Sequence, residues 1–279
     1  HRDLHSFPTR RSSDLYNLSF HIKTNGSIVN PEIIKLAHDN GVSFVVSIDG
    51  RDSTHNKKRV TSNRSVTHQL AVSNLKILLD NRIDCSCSVT VDPQCANDVI
   101  ENVEYLVDIG IKDFSIGPVY GTVKWKETQI MAFNNALKGL HKRYDGHSNT
   151  NEVFIKPIHN CQIHKNEFLV DTWGCEALHS NIAILPTGEI CGCSALAYLS
   201  IKYPYLIVGD VHNGLNSKAE KYLLEIIDAG IEPRTQCKNC SSKNNCYGGC
   251  YAINISCNGS PYLPPPIYCN SIEVLSGMD

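Results

Sequence analysis

The chain lacks any window approaching eighteen consecutive apolar residues, so no segment is long enough to span a bilayer as a helix. It also lacks charge of a dominant sign. Lys and Arg number 26 against 28 Asp and Glu, giving −2 and a pI near 6.7, and no run of basic residues forms a stripe. That balance offers nothing to hold a polyanion, so neither nucleic acid nor a membrane surface is an expected partner. Apolar content is not what is missing. At 42% of 279 residues it can bury the core of one large α/β domain and leave material for a smaller module.

The first fifteen residues, HRDLHSFPTRRSSDL, lack a signal-peptide core, apolar periodicity and any capping residue that would start a helix. Read back into codons, they resemble an in-frame translation of a short-read sequencing adapter. On that reading the segment is non-native and the natural sequence begins at Tyr16, with an N-terminal part cut away; a disordered native arm is the alternative.

Cysteine is present in excess and unevenly placed. Of 13, ten lie between Cys161 and Cys269, and only Cys85, Cys87 and Cys95 precede them. A short secreted disulfide scaffold has no cysteine-poor α/β region ahead of its cysteines. The pattern therefore points to bound metal, a reducing interior and a cytoplasmic location.

From Tyr16 the strands and helices alternate. LSFHIKT (18–24) reads as a strand ending at the Asn25-Gly26 turn, and Asn30-Pro31 opens a helix that Gly41 closes. VSFVVSI (42–48) is a buried strand closed by Asp49-Gly50, and further strands are expected at 83–91 and 112–119. Helices are expected near 66–80, 97–109 and 127–144. Repeated βα units imply a parallel sheet whose ligands bind beyond the C-terminal strand ends. Alternation puts Cys85 and Cys87 on one face, as core thiols.

After about residue 155 regular structure thins out, with a helical period only near 216–229. A segment so poor in periodicity needs another source of order, which metal coordination supplies. The stretch CKNCSSKNNCYGGC (237–250) carries the spacing C-x2-C-x5-C-x3-C. Upstream, Cys175 is followed by twelve residues, Gly188, four residues and Cys193, and downstream stands Cys269. Thiolates so spaced converge on a soft metal at small loop-closure cost.

This seven-cysteine series resembles the signature of SPASM domains, the C-terminal modules of many radical S-adenosylmethionine (SAM) enzymes. The resemblance implies two auxiliary 4Fe–4S clusters. Cys237, Cys240, Cys246 and Cys269 would hold one; Cys175, Cys193 and Cys250 would hold the other, with Cys161 a possible fourth ligand. Cys191 and Cys257 do not fit the spacing. IKTNGSIVNPEIIKLAHDNGVSFVVSIDG, with THNKKRV after it, resembles the third and fourth strands of a radical SAM barrel. In that family the fourth-strand serine and nearby polar groups contact SAM, which makes Ser47, Asp49 and Arg59 cofactor-binding candidates. Strand-end hydrogen bonding, turn chemistry and a solvated charge are the respective alternatives.

The implied fold is α/β: a partial (β/α)6 barrel comprising its last four strands over residues 16–155, then a small SPASM domain over 156–279. The implied parent is an enzyme that modifies a ribosomal precursor peptide or protein, using SAM, a third 4Fe–4S cluster and an external low-potential electron donor. Thioether or other crosslink formation is the leading reaction. Sulfatase-maturing relatives carry an aspartate base directly after the second signature cysteine, where this chain has Ser194. The C-x3-C-x2-C loop that cleaves SAM and the glycine-rich acidic second-strand motif are both missing from the sequence, so the chain alone is expected to be inactive. A zinc module without catalysis is the alternative from another class. PYLPPP (261–266) is read as a rigid surface link, His159 and His164 as solvated loop histidines, and Tyr247 as a shield of the metal centre.

Overall fold

The computed structural model describes residues 18–144, 153–159, 175–246 and 248–277. Cys161, His164 and Tyr247 lie outside the described residues, as does the adapter-like segment. The described chain forms two compact units. The first holds residues to Thr90, then Asp98–Gly117 and the strand ending at Lys156; the second holds Val91–Asn97, the segment from Pro118 and everything from Pro157 on.

The first unit is a parallel sheet with helical crossovers. Its strands are β1 (Phe20–Thr24), β2 (Val42–Val46), β3 (Cys85–Val91), β4 (Asp113–Pro118) and β5 (Phe154–Lys156), hydrogen-bonded in that order. The β1/β2, β2/β3 and β4/β5 pairs are parallel. Helix α1 (Pro31–Asn40) starts as its sequence dictates: the Asn30 side chain accepts the Ile33 N–H at 2.9 Å, and Pro31 takes the first helical position. Gly41, at φ 63°, closes it in the left-handed conformation. β2 alternates, burying Val42, Phe44 and Val46. In β3 Cys85 and Cys87 face the core, where burial pushes both thiols up to about 12. A short helix α2 (Asp52–His55), then α3 (His68–Asp80), α4 (Val99–Ile109) and α5 (Glu127–Tyr144) complete the run of helices, and a 3₁₀ turn (Pro93–Asp98) precedes α4. α5 belongs to the second unit.

The sheet has five strands in these residues, one more than expected. β5 is only three residues long, too short for period-2 alternation to show in the sequence.

The second unit is more regular than its sequence suggests. β6 (Ala183–Ile184), β7 (Glu189–Cys191), β8 (Ile207–Asp210) and β9 (Gly214–Leu215) form an antiparallel sheet in that order. Gly188, at φ 94°, makes the turn into β7 and donates its N–H to the Leu185 carbonyl. Around the sheet lie α6 (Ser194–Leu199), α7 (Ser217–Ile227), α8 (Lys243–Cys246), α9 (Tyr251–Asn258) and α10 (Pro266–Ser276). Only α7 carries a clear helical period. The others are short or apolar on more than one side, so composition hides them. The proline run is not a surface link: Pro264 and Pro265 are buried, and Pro266 opens α10, which packs against α5.

Candidate functional site

In the first unit the candidate residues gather beyond the C-terminal end of β2. The Ser47 N–H donates to the Thr24 carbonyl at 2.8 Å, tying the end of β2 to the end of β1, and its side chain is buried. Asp49 and Arg59 meet each other. Arg59 Nε donates to Asp49 Oδ2 at 2.7 Å and Nη2 to Oδ1 at 2.8 Å, a bidentate pair. The Thr90 N–H, at the end of β3, adds a third bond to Oδ1 at 2.9 Å. Both oxygens of Asp49 are thus engaged within the protein.

His55 closes the arrangement into a ring. Its Nδ1 accepts the Asp49 N–H at 3.3 Å, which leaves the proton on Nε2, 3.1 Å from the Thr67 hydroxyl; that hydroxyl in turn donates to the Arg59 carbonyl at 2.7 Å. Burial pushes the His55 pKa down to about 4, against the opposing pull of the Asp49 carboxylate. The imidazole is therefore a neutral positioning group at pH 7. Gly50 has a second reason to be glycine besides its φ of 111°: a Cβ there would stand 2.2 Å from Asn102 Cβ. Asn102 uses that approach to accept the Arg51 N–H and to donate to Thr54, both at 3.1 Å. The result is a rigid strand end whose shape is set by α2 and α4.

The second unit brings the signature cysteines into two groups. Cys193 caps α6, its sulfur accepting the Leu196 N–H at 3.5 Å, and Cys250 stands at the N-terminal boundary of α9. α6 packs on α9, and Cys175, Cys193 and Cys250 all rest against one apolar core that includes Ala177, Leu196 and Ile255. Burial raises Cys175 to about 11, and the nearby thiols of Cys250 and Cys193 add to the rise. Cys250 is raised by burial too, offset by N–H groups of Ile253 and Ala252 pointing at its sulfur. The other group forms where α8 packs on α10, which bring Cys246 and Cys269. Burial raises Cys269 to about 11, and the thiols of Cys246, Cys237 and Cys240 push the same way. Cys246, also raised to about 11 by burial, receives the N–H groups of Gly248 and Gly249. Both glycines have positive φ, 76° and 80°, and the Gly249 N–H closes the turn by donating to the Cys246 carbonyl at 3.2 Å.

Among the described residues, no group of three or more His, Cys, Asp or Glu side chains converges closely enough to hold a single metal ion. One zinc gathers its four thiolates on a single atom, whereas a four-iron cluster takes each on a separate iron and spaces them more widely. Donor chemistry fits the cluster: thiols from separate segments, Cys237 buried, Cys240 exposed and the other five half-buried, with the Leu196 N–H directed at the Cys193 sulfur. Cys191 is fully buried in β7, and the sulfur of Cys257 accepts the Gly121 N–H at 3.2 Å, so each has a local structural role. His159 is half-buried with Nε2 3.2 Å from the Tyr144 carbonyl, and is not a solvated loop residue.

No family model matches the chain. It is 21% identical over 260 residues to a serine-type anaerobic sulfatase-maturating enzyme of Klebsiella aerogenes, covering 87% of this chain and 60% of the relative. The corresponding enzyme of Klebsiella pneumoniae is 20% identical, with 62% of its length covered. The chain thus spans about three-fifths of the length of the curated relatives it matches. Among solved structures, native anSMEcpe with bound AdoMet and Cp18Cys peptide superposes with a TM-score of 0.74 at 16% identity, over 92% of this chain and 72% of that one. SuiB of Streptococcus suis bound to S-adenosylmethionine gives 0.54 at 18%, over 88% and 59%. The fold is similar to that of radical SAM enzymes of the SPASM type. The anSMEcpe structure holds a bound Cp18Cys peptide, and a further SuiB structure holds its precursor peptide SuiA.

Several residues of both sites escaped the sequence reading. His55 lies within THNKKRV, and its spacing from Arg59, one helical turn, was the only available signal. Asn102 and Thr67 carried none. In the second unit Tyr268 is held far above the usual phenol range by burial, with thiols of both groups nearby: Cys246 and Cys269 from one, Cys250 from the other. No motif marks it, because a tyrosine in an apolar helix reads as core.

Proposed function

We propose that this chain is part of a radical SAM enzyme that modifies a ribosomal peptide or protein, and that its second unit is a SPASM domain holding two auxiliary 4Fe–4S clusters. Cys237, Cys240, Cys246 and Cys269 hold one; Cys175, Cys193 and Cys250, with Cys161 as candidate fourth ligand, hold the other. What supports the reading is that thiols from four separate segments lie near one another: Cys175 near Cys193 and Cys250, and Cys269 near Cys237, Cys240 and Cys246. When bound, the clusters supply one-electron chemistry at low potential, fed by an external donor. The chain's own residues bind, shield and orient: the glycine turn directs amides at Cys246, and the Asp49–Arg59–Thr67–His55 ring fixes the strand end beside Ser47, the candidate SAM contact.

Two reaction classes compete. Similarity to sulfatase-maturating enzymes favours oxidation of a target side chain. Against it stands Ser194, exposed in the first turn of α6 directly after Cys193, because a serine hydroxyl cannot act as a base at neutral pH. Peptide crosslinking, with a precursor peptide as substrate, is therefore the reading we prefer.

Anaerobic reconstitution with iron and sulfide tests the cluster assignment: about eight iron and eight labile sulfide per chain are expected. Tight zinc without labile sulfide refutes it and supports the zinc module. Because this sequence contains no C-x3-C-x2-C loop, the reconstituted 279-residue chain is expected not to cleave SAM reductively. Release of 5′-deoxyadenosine under dithionite would refute that.

A further inference from the structure

Arg234 is fully buried, an unusual place for a permanent cation. Its guanidinium carbon lies 5.1 Å from the ring centre of Tyr251 and 5.3 Å from that of Tyr262, a position held by cation–π attraction to both. Nη1 donates to the Gly230 carbonyl and Nη2 to the Tyr251 hydroxyl, which donates onward to the Ile227 carbonyl. The surroundings are cysteine-bearing backbone. The Cys237 N–H donates to the Arg234 carbonyl at 2.8 Å, Tyr251 directly follows Cys250, and a Cβ on Gly248 would come within 2.4 Å of Arg234 Cδ and Nε. Gly248 lies midway between Cys246 and Cys250, so the stem of the arginine is packed into the turn that joins the two thiol groups.

We infer that Arg234 is a fixed counter-charge for the centre held by Cys237, Cys240, Cys246 and Cys269, a positioning residue that makes this centre easier to reduce. The inference rests on the cluster reading above. Four thiolates give an iron–sulfur centre net negative charge, and one added electron increases it. A buried cation that cannot be deprotonated favours the reduced state. At an effective dielectric near 20, a unit charge about 10 Å away shifts a one-electron equilibrium by roughly tenfold. Tyr251 and Tyr262 hold the guanidinium without neutralising it, so its field reaches the sulfurs.

The test is a potentiometric titration followed by electron paramagnetic resonance, on anaerobically reconstituted full chain with dithionite as the electron donor. Arg234→Met is expected to retain its iron and to show a reduced-to-oxidised ratio roughly tenfold lower at the wild-type midpoint, with the ratio for Arg234→Lys within about threefold of wild type. Should Arg234→Met fail to fold, Tyr251→Phe serves instead: it keeps the charge but frees one anchor of the guanidinium, and a lower midpoint is expected. Full iron with an unmoved midpoint in Arg234→Met, or in Tyr251→Phe where that variant replaces it, overturns the inference alone. A wild-type chain that takes up no iron and sulfide overturns the cluster reading and this inference with it.

Discussion

Asp49 and Arg59 were candidate cofactor contacts by sequence, yet they are bonded to each other, and a double-mutant cycle measures what that pair contributes. The Asp49 carboxylate is 7% exposed and the Arg59 side chain 28%, with bonds of 2.7 and 2.8 Å between them. Charge-assisted bonds contribute roughly 1.5–3 kcal/mol each, and breaking a buried pair costs about 3–5 kcal/mol because the survivor keeps an uncompensated charge. Arg59 can still reach water, which moves the expectation to the lower end. Asp49→Asn and Arg59→Met should each cost about 2–3 kcal/mol, with a coupling of about 1.5 kcal/mol between them. The thermal midpoint would fall by roughly 4–12 °C for each single variant in a chain of this size. Native-state hydrogen exchange at β2 and β3 amides reads the first unit selectively. A coupling below about 0.5 kcal/mol would show that the pair is incidental and return both side chains to the pool of free cofactor contacts.

Gly248→Ala should lower both the thermal midpoint and the iron retained after reconstitution, since it combines positive φ with a clash against Arg234. Gly259→Ala has similar φ, 69°, but open space, and should cost only the left-handed penalty of about 1–2 kcal/mol, so the difference isolates the clash. Cys269→Ala should lose about four of eight irons, with the Cys175 set intact; loss of none would remove Cys269 from the ligand set. For His55 the folded pKa of about 4 lies below the ordinary 6.5. The unfolded chain therefore takes up a proton that the folded one refuses. This contribution to stability is complete above about pH 6.5 and is lost, by up to about 3 kcal/mol, as pH falls to about 4. His55→Asn should flatten that part of the denaturation-midpoint profile, and an unchanged slope would assign it to other groups.

Local order was written plainly into the sequence. Asn30, Pro31 and Gly41 act within their own turn of chain, so the bounds of α1 follow from residues a few positions apart. The alternation in β2 reports burial on one face, which any parallel packing would satisfy. The cysteine spacing keeps Cys237, Cys240, Cys246 and Cys250 within one fourteen-residue stretch whatever the rest of the chain does, but it does not divide them between two sets; that division is implied by the family resemblance alone. Tertiary structure decided everything that joins distant segments. It paired Asp49 with Arg59 and Thr90, set Asn102 against Gly50, and packed α10 on α5, where the Ser271 hydroxyl meets Asn134 at 3.2 Å. Arg234 is the clearest case. A lone arginine in a turn-rich stretch reads as a solvated charge; only two tyrosine rings from later in the chain and a glycine with no side chain make room to bury it. Sequence pattern reports what neighbours along the chain can do, and the field that a buried cation exerts depends on what the fold removes from water around it.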